Sequence, residues 1–202
     1  MADWIPIALG RDVPDGVTRA VIVDGREVMI WRGEDGVAHV WEDRCPHRGM
    51  RLSLGFVRSN ALNCLYHGWQ YGAGANCLRI PAHPDLTVPP TIRANAYAAA
   101  ETGGMVWMSA DGASPAPLLP EATPVISLAI EAAPERVLAA LGSSTAHPIA
   151  ALPGAAGLLQ LGWHRVHAAK TMLHATGTGA DIAAATAQLR ALRQNLEQGA
   201  AA

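Results

Sequence analysis

Cys45-Pro-His47-Arg-Gly49 and Cys64-Leu-Tyr-His67-Gly68, with sixteen residues between His47 and Cys64, set the character of this 202-residue chain. Each segment offers one thiol and one imidazole across a short spacing, C-x-H in the first and C-x-x-H in the second. Structural zinc sites usually group their ligands differently, with two cysteines close together and two histidines close together. The alternation suits instead a two-metal centre that takes one soft sulfur and one neutral imidazole from each of two loops. The two sulfurs then hold one metal and the two imidazoles the other.

That is the ligand set of a Rieske [2Fe–2S] centre, in which two cysteines hold one iron and two histidines the other. The flanks carry a resemblance. Cys45-Pro-His47-Arg-Gly49 and Cys64-Leu-Tyr-His67-Gly68-Trp69-Gln-Tyr71 resemble the Rieske domains of ring-hydroxylating and demethylating non-heme iron oxygenases. The downstream Gly74-Ala-Asn-Cys77-Leu-Arg-Ile80-Pro81-Ala82 continues it, so that residues 3–110 are covered. The resemblance implies a [2Fe–2S] cofactor with Cys45 and Cys64 on the inner iron and His47 and His67 on the outer. Respiratory Rieske proteins differ: they place disulfide cysteines where Met50 and Tyr66 stand here, and a serine where Trp69 stands. Fewer hydrogen bonds to cluster sulfur imply a potential near the bottom of the Rieske range. Cys77, the third thiol, is read as strand packing, and so is Tyr71, whose hydroxyl alternatively approaches a cluster ligand.

Composition narrows the setting. Half of the residues are hydrophobic and the net charge is −2, which argues against a polyanionic partner such as nucleic acid. Three cysteines, two of them assigned to iron, leave no disulfide framework and suit a reducing compartment. Met1-Ala-Asp3-Trp-Ile-Pro6 has neither a basic nor an apolar signal region. No uncharged apolar stretch is long enough to span a membrane. A cytoplasmic protein with no membrane partner is expected.

The expected fold class is α+β. Val17–Val23 and Glu27–Trp31 are β-rich runs separated by the hairpin signal Asp24-Gly25. Glu34-Asp35-Gly36 is a second turn, leading to Val37–Trp41 and the first ligand loop. With Cys77–Ile80 and Met105–Ser109, these segments predict an N-terminal antiparallel β domain over residues 3–110. Residues 111–124, rich in proline and alanine, read as a linker. Residues 125–202 read as a short, mainly helical region, either a remnant or a partner-binding segment. Its candidate helices are Pro134–Leu141, Leu158–Leu173 and a terminal helix after Thr178-Gly-Ala-Asp181. The last carries an apolar stripe of Ile182, Ala185, Leu189, Leu192 and Leu196 and ends near Gly199.

An oxygenase of the resembled family holds a mononuclear Fe(II) in a two-histidine, one-carboxylate triad. The resemblance places its motif at Leu141, Ser144, His147 and Leu152, which keeps one histidine and no carboxylate. His164, His167 and His174 with Asp181 form a rival set, but on one helix these spacings do not converge. A mononuclear Fe(II) in this chain is therefore doubtful. The expected role is an electron-transfer subunit that takes electrons from a flavin or ferredoxin reductase. It would pass them to a non-heme iron on a larger oxygenase subunit, with Arg48 or Arg51 facing an acidic acceptor. The alternative is a minimal oxygenase with its own iron, performing aromatic hydroxylation or O- or N-demethylation.

Overall fold

The computed structural model describes residues 4–154, 157–179 and 181–198. Strands come first: β1 (Trp4–Leu9), β2 (Thr18–Val23), β3 (Arg26–Arg32) and β4 (Ala38–Glu42). Four short ones follow, β5 (Phe56–Arg58), β6 (Ala61–Asn63), β7 (Gln70–Gly72) and β8 (Cys77–Arg79), then β9 (Ala96–Thr102) and β10 (Met105–Ser109). The rest contains β11 (Thr123–Ile130), α1 (Pro134–Ala140), β12 (Ile149–Gly154), β13 (Gly157–His167), β14 (Lys170–Gly177) and α2 (Ile182–Gln198). Residues 13–22 and 26–99 form one unit; residues 1–12, 23–25 and 100–202 form the other.

In the first unit β3 is buried on both faces from Val28 to Arg32, as its unbroken run Val28-Met-Ile-Trp31 requires. Arg32 closes the run, and its guanidinium donates to the carbonyls of Val13 (2.6 Å) and Gly36 (2.5 Å). The antiparallel register with β4 sets Met29 opposite Trp41 and Trp31 opposite His39. A small sheet runs in the order β5-β6-β7-β8. Its register lines up Val57, Leu62, Tyr71 and Cys77 on one face, and Phe56, Asn63, Gln70 and Arg79 on the other. The first row joins a core with Trp31, Trp41, Leu52, Cys45 and Cys64. The period of two thus sends one face of each short strand toward the two ligand loops. The hairpin expected at Asp24-Gly25 is present: both residues have positive φ, 50° and 77°, which the tight two-residue turn needs.

In the second unit β1 pairs antiparallel with β10, and a four-stranded sheet runs in the order β11-β14-β13-β12. Leu128, Leu173 and Trp163 share one face with Ile126, Ala175, Leu161 and Ala150. There they meet Val137 and Leu138 of α1 and Ala185, Leu189 and Leu196 of α2. The alternate row, Ser127, His174 and Gly162, belongs to the opposite face. A Cβ on Gly162 would lie 2.5 Å from Met105 Sδ and 3.0 Å from Pro6 Cβ, so only glycine lets β1 and β10 pass this close.

The α+β class, with antiparallel strands in the N-terminal part, and the terminal helix stand as expected, while β1 and β10, expected within one domain over residues 3–110, fall in the second unit. The helix expected over Leu158–Leu173 is instead β13 and the start of β14, joined at His167–Lys170, so the C-terminal part is a sheet with two helices rather than mainly helical. Leu159, Leu161 and Trp163 alternate with Gln160, Gly162 and His164, and this period of two overrides the helix propensity of the surrounding alanines. α1 starts with Pro134 in its first turn, where a missing N–H costs nothing. From Ala185 to Leu196 the apolar stripe of α2 is covered by its own unit, with Ala185 and Leu189 fully buried, whereas Ile182 stays exposed. The cap of α2 is Asp181 itself, whose Oδ1 accepts the N–H of Ala183 (2.9 Å) and of Ala184 (3.1 Å). Ala180 and Gly199, parts of the expected start and stop of this helix, lie outside the described residues. Among the described residues no helix is long and apolar enough to cross a membrane.

Candidate metal centre

Two loops built to the same plan carry the four candidate ligands. In the first, Cys45 N–H donates to Met50 O (2.7 Å) and Gly49 N–H donates back to Cys45 O (2.8 Å). In the second, Cys64 N–H donates to Trp69 O (2.9 Å) and Gly68 N–H to Cys64 O (3.0 Å). The offsets are identical although one histidine follows its cysteine by two positions and the other by three. Each loop reverses on a glycine with positive φ, 72° at Gly49 and 67° at Gly68, a conformation that costs other residues roughly 1–2 kcal/mol. Because the loops match, each turns its cysteine inward and its histidine outward. Cys45 and Cys64 are each 2 % exposed, whereas His47 is half-buried and His67 exposed. The two imidazole rings lie 4.7 Å apart, centroid to centroid.

The surroundings hold these groups in place. Trp69 stacks flat on His47, with centroids 4.2 Å apart and 6° between planes, and Tyr66 lies against His67 at 3.8 Å. Tyr71, fully buried, places its hydroxyl 3.2 Å from Cys45 Sγ. Burial first, and then the hydrogen bond to Cys45, push the Tyr71 hydroxyl far above its usual range, and against a metal-binding Cys45 thiolate, which can only accept, this hydroxyl is the donor. Tyr71 is thus more than packing. Burial also raises the Cys64 and Cys77 thiols. Desolvation, with His67 and Arg48 nearby, holds the His47 imidazole below its usual range and favours the neutral ring that binds metal.

Asp43 escaped the sequence reading. It is buried, and its carboxylate accepts Ser53 N–H (2.7 Å) and Ser53 Oγ–H (2.6 Å), clamping the first loop to the short turn Leu52–Leu54 behind it. An acid two residues before the first cysteine was the available signal. Cys77 is buried, with its Sγ 3.6 Å from Arg79 O, in the same row as Tyr71, which agrees with a packing role. Arg51 is ion-paired with Glu27, while Arg48 is exposed and lines a hollow beside His47 with Arg44 and Arg93.

This donor set fits a two-iron cluster better than a single ion. Among the described residues no three His, Cys, Asp or Glu side chains converge on one point, as a tetrahedral zinc or a facial triad would need. Two sulfurs behind and two imidazoles in front supply two ligands to each of two irons. The rival set does not assemble. His147 and His167 are exposed, His167 Nδ1 accepts the N–H of Ala169 (3.3 Å), and Asp181 caps α2. His164 and His174 do meet, at 3.3 Å, because they sit on neighbouring strands rather than on one helix.

Comparison with known proteins agrees with this geometry. Residues 3–90 match the family described as the Rieske [2Fe-2S] domain. The oxidoreductase NdmD of Pseudomonas putida is 42 % identical over 105 residues, which is 52 % of this chain and 18 % of NdmD. The oxygenase subunit of phthalate 4,5-dioxygenase from Pseudomonas putida is 32 % identical over 107 residues, 52 % of this chain and 24 % of that protein. The chain thus spans no more than a quarter of the length of these two relatives. Among solved structures, NdmA of Pseudomonas putida CBB5 superimposes with a TM-score of 0.71 at 18 % identity, over 96 % of this chain and 80 % of that one. Apo dicamba monooxygenase gives 0.73 at 16 % identity, over 96 % and 85 %. At these identities the likeness shows the fold alone.

Proposed function

We propose that this chain, whose N-terminal part is a Rieske [2Fe–2S] domain, is the electron-transfer component of an oxygenase system. It takes single electrons from a flavin or ferredoxin reductase and passes them to a non-heme iron on a larger partner subunit. Cys45 and Cys64 hold the inner iron, and His47 and His67 the outer. One observation carries the reading: two loops with the same hydrogen-bond frame bury both thiols and bring both imidazoles outward, 4.7 Å apart. The cluster, when bound, supplies reversible one-electron storage.

The chain's own residues do the rest. The Gly49 and Gly68 turns fix the loops, and the Asp43–Ser53 clamp holds the first of them. Stacked Trp69 sets the His47 ring, and Tyr71 donates to the Cys45 sulfur. The outward imidazole edges shorten the distance to a docked redox partner, and exposed Arg48 favours an acidic one. The reduced, buried thiols suit a cytoplasmic location.

Metal analysis with EPR of the reduced protein tests the reading. About two irons and two sulfides per chain, with a Rieske-type signal, are expected. A third iron, with oxygen-dependent product from the chain alone and a reductase, would replace this reading with a minimal oxygenase carrying its own mononuclear iron.

A further inference from the structure

The two ligand loops share one backbone frame and differ in charge. Arg44 and Arg48 flank the first, one just before Cys45 and one just after His47. Asn63 and Gly68 stand next to the ligands of the second, which exposes the apolar Leu65 and Tyr66 between them. Beside His47 lies a hollow of about 350 Å³, lined by Arg44, Arg48 and Arg93, all exposed, together with Glu42 and Asn95.

Two of these guanidinium groups are placed by the backbone. Arg44 lies across the turn of the first loop, its Nε 3.3 Å from where a Cβ on Gly49 would stand. Arg93 is anchored by donating from Nη2 to Gly74 O (3.1 Å). Glu42, the carboxylate of the wall, accepts from Asn95 Nδ2 (3.4 Å). None of the three arginines has an ion pair among the described residues, whereas Glu27 neutralises Arg51 and Glu135 neutralises Arg165. Three guanidinium groups thus surround an open hollow that contains one carboxylate, and concave surfaces of one sign concentrate the field. The group that gains most there is another carboxylate, whose two oxygens match the planar guanidinium fork.

We propose that this hollow is the docking point of the electron donor, a protein whose redox group is ringed by carboxylates. It seats an acidic side chain among Arg44, Arg48 and Arg93, and one electron passes from its redox group to the oxidised cluster on the His47 side. No bond forms or breaks in that step. The proposal rests on the electron-transfer reading above and adds the side of the cluster and the chemistry of the partner. A donor must bind and leave for every electron it delivers, and small charged contacts give the fast, weak encounters that this requires. The second loop, with no charge beside its ligands, offers nothing comparable.

A reduced, acidic plant-type [2Fe–2S] ferredoxin is the probe, since its potential lies below the Rieske range and transfer runs downhill. Reduced methyl viologen, a small cation, is the control donor. Stopped-flow absorbance follows reduction of the cluster in the full chain at low salt. Arg44→Gln, Arg48→Gln and Arg93→Gln are each expected to slow ferredoxin about threefold, the weight of one exposed ion pair, and to leave viologen no slower. The triple variant should be about thirtyfold slower with ferredoxin, and high salt should erase its difference from the wild type. Arg58→Gln removes the same charge from an exposed position outside the hollow and should leave both rates unchanged. Absence of a Rieske-type EPR signal from the reduced wild type would end the electron-transfer reading and this proposal with it. With the signal present, three results overturn the proposal alone: a wild-type ferredoxin rate in the triple variant, equal slowing by Arg58→Gln and Arg48→Gln, or equal slowing of viologen, which would place the arginines' effect on the cluster and not on docking.

Discussion

Each unit contains a histidine pair, and the two pairs are built in opposite ways. His47 and His67 stand on loops, turned toward solvent, with buried cysteines behind them. His164 and His174 stand on strands, 2 % exposed each, with a carbonyl, a hydroxyl and a carboxylate arranged in series around them. The first arrangement leaves imidazole nitrogens facing outward beside soft sulfur. The second commits His164 Nδ1 and both His174 nitrogens to internal hydrogen bonds. Proximity of two histidines, 4.7 Å between rings in one case and 5.2 Å in the other, is therefore a poor guide to metal binding. What stands behind the pair separates them.

The largest expected effect breaks the first pair. His67→Ala leaves one iron with a single imidazole, and the Rieske-type EPR signal of the reduced protein and the visible absorption should both be lost. His174→Ala should retain both. A normal signal in His67→Ala, or its loss in a folded His174→Ala, would erase the distinction between the pairs.

The next effect sharpens the second pair. Ser127→Ala removes a hydroxyl that donates to Asp12 Oδ2 and meets His174 Nδ1, two hydrogen bonds at once. A loss of about 1–3 kcal/mol is expected, measured by urea denaturation, with iron content unchanged. An unaltered midpoint would mean that water replaces the hydroxyl and that the series does not hold the pair.

What was legible in the sequence divides along the same line. The four cluster-ligand candidates are local signals: each loop is closed by residues within five positions of its cysteine, so its spacing can be read without the rest of the fold. The glycines after each histidine carried the turn geometry in plain view. The Tyr71–Cys45 contact spans twenty-six positions and depends on strand register, which one sequence does not show. The His164–His174 contact needed the hairpin at His167–Lys170, whose turn His167-Ala-Ala-Lys170 lacks the usual glycine or asparagine, so the alanine-rich segment read as helix. Asp181, weighed as an iron ligand, was locally legible as a helix cap.

Tyr71→Phe comes third. Donation to Cys45 sulfur stabilises the reduced, more electron-rich cluster, so its removal lowers the potential. The wild type is expected near about −150 mV, at the low end of the Rieske range, since Trp69 offers no hydroxyl. A difference of about 1 kcal/mol for one hydrogen bond corresponds to about 40 mV downward in a one-electron couple. Voltammetry of the two proteins measures it, and an equal or higher potential in Tyr71→Phe would remove the tyrosine from the tuning of the first pair.

The smallest effect concerns the carboxylate that the second histidine set once claimed. Asp181 accepts two N–H groups from the first turn of α2, and its place is at an exposed helix end. Asp181→Ala should cost about 1 kcal/mol, the ordinary worth of such a cap, and Asp181→Asn should recover most of it because the amide oxygen accepts the same bonds. A metal role predicts a different pattern. Asparagine would then fail to substitute for the charged ligand, and iron per chain would fall in both variants while stability barely changed. Parallel urea denaturation and iron analysis of the two variants separate these outcomes, because capping depends on an oxygen acceptor and ligation of Fe(II) depends on its charge.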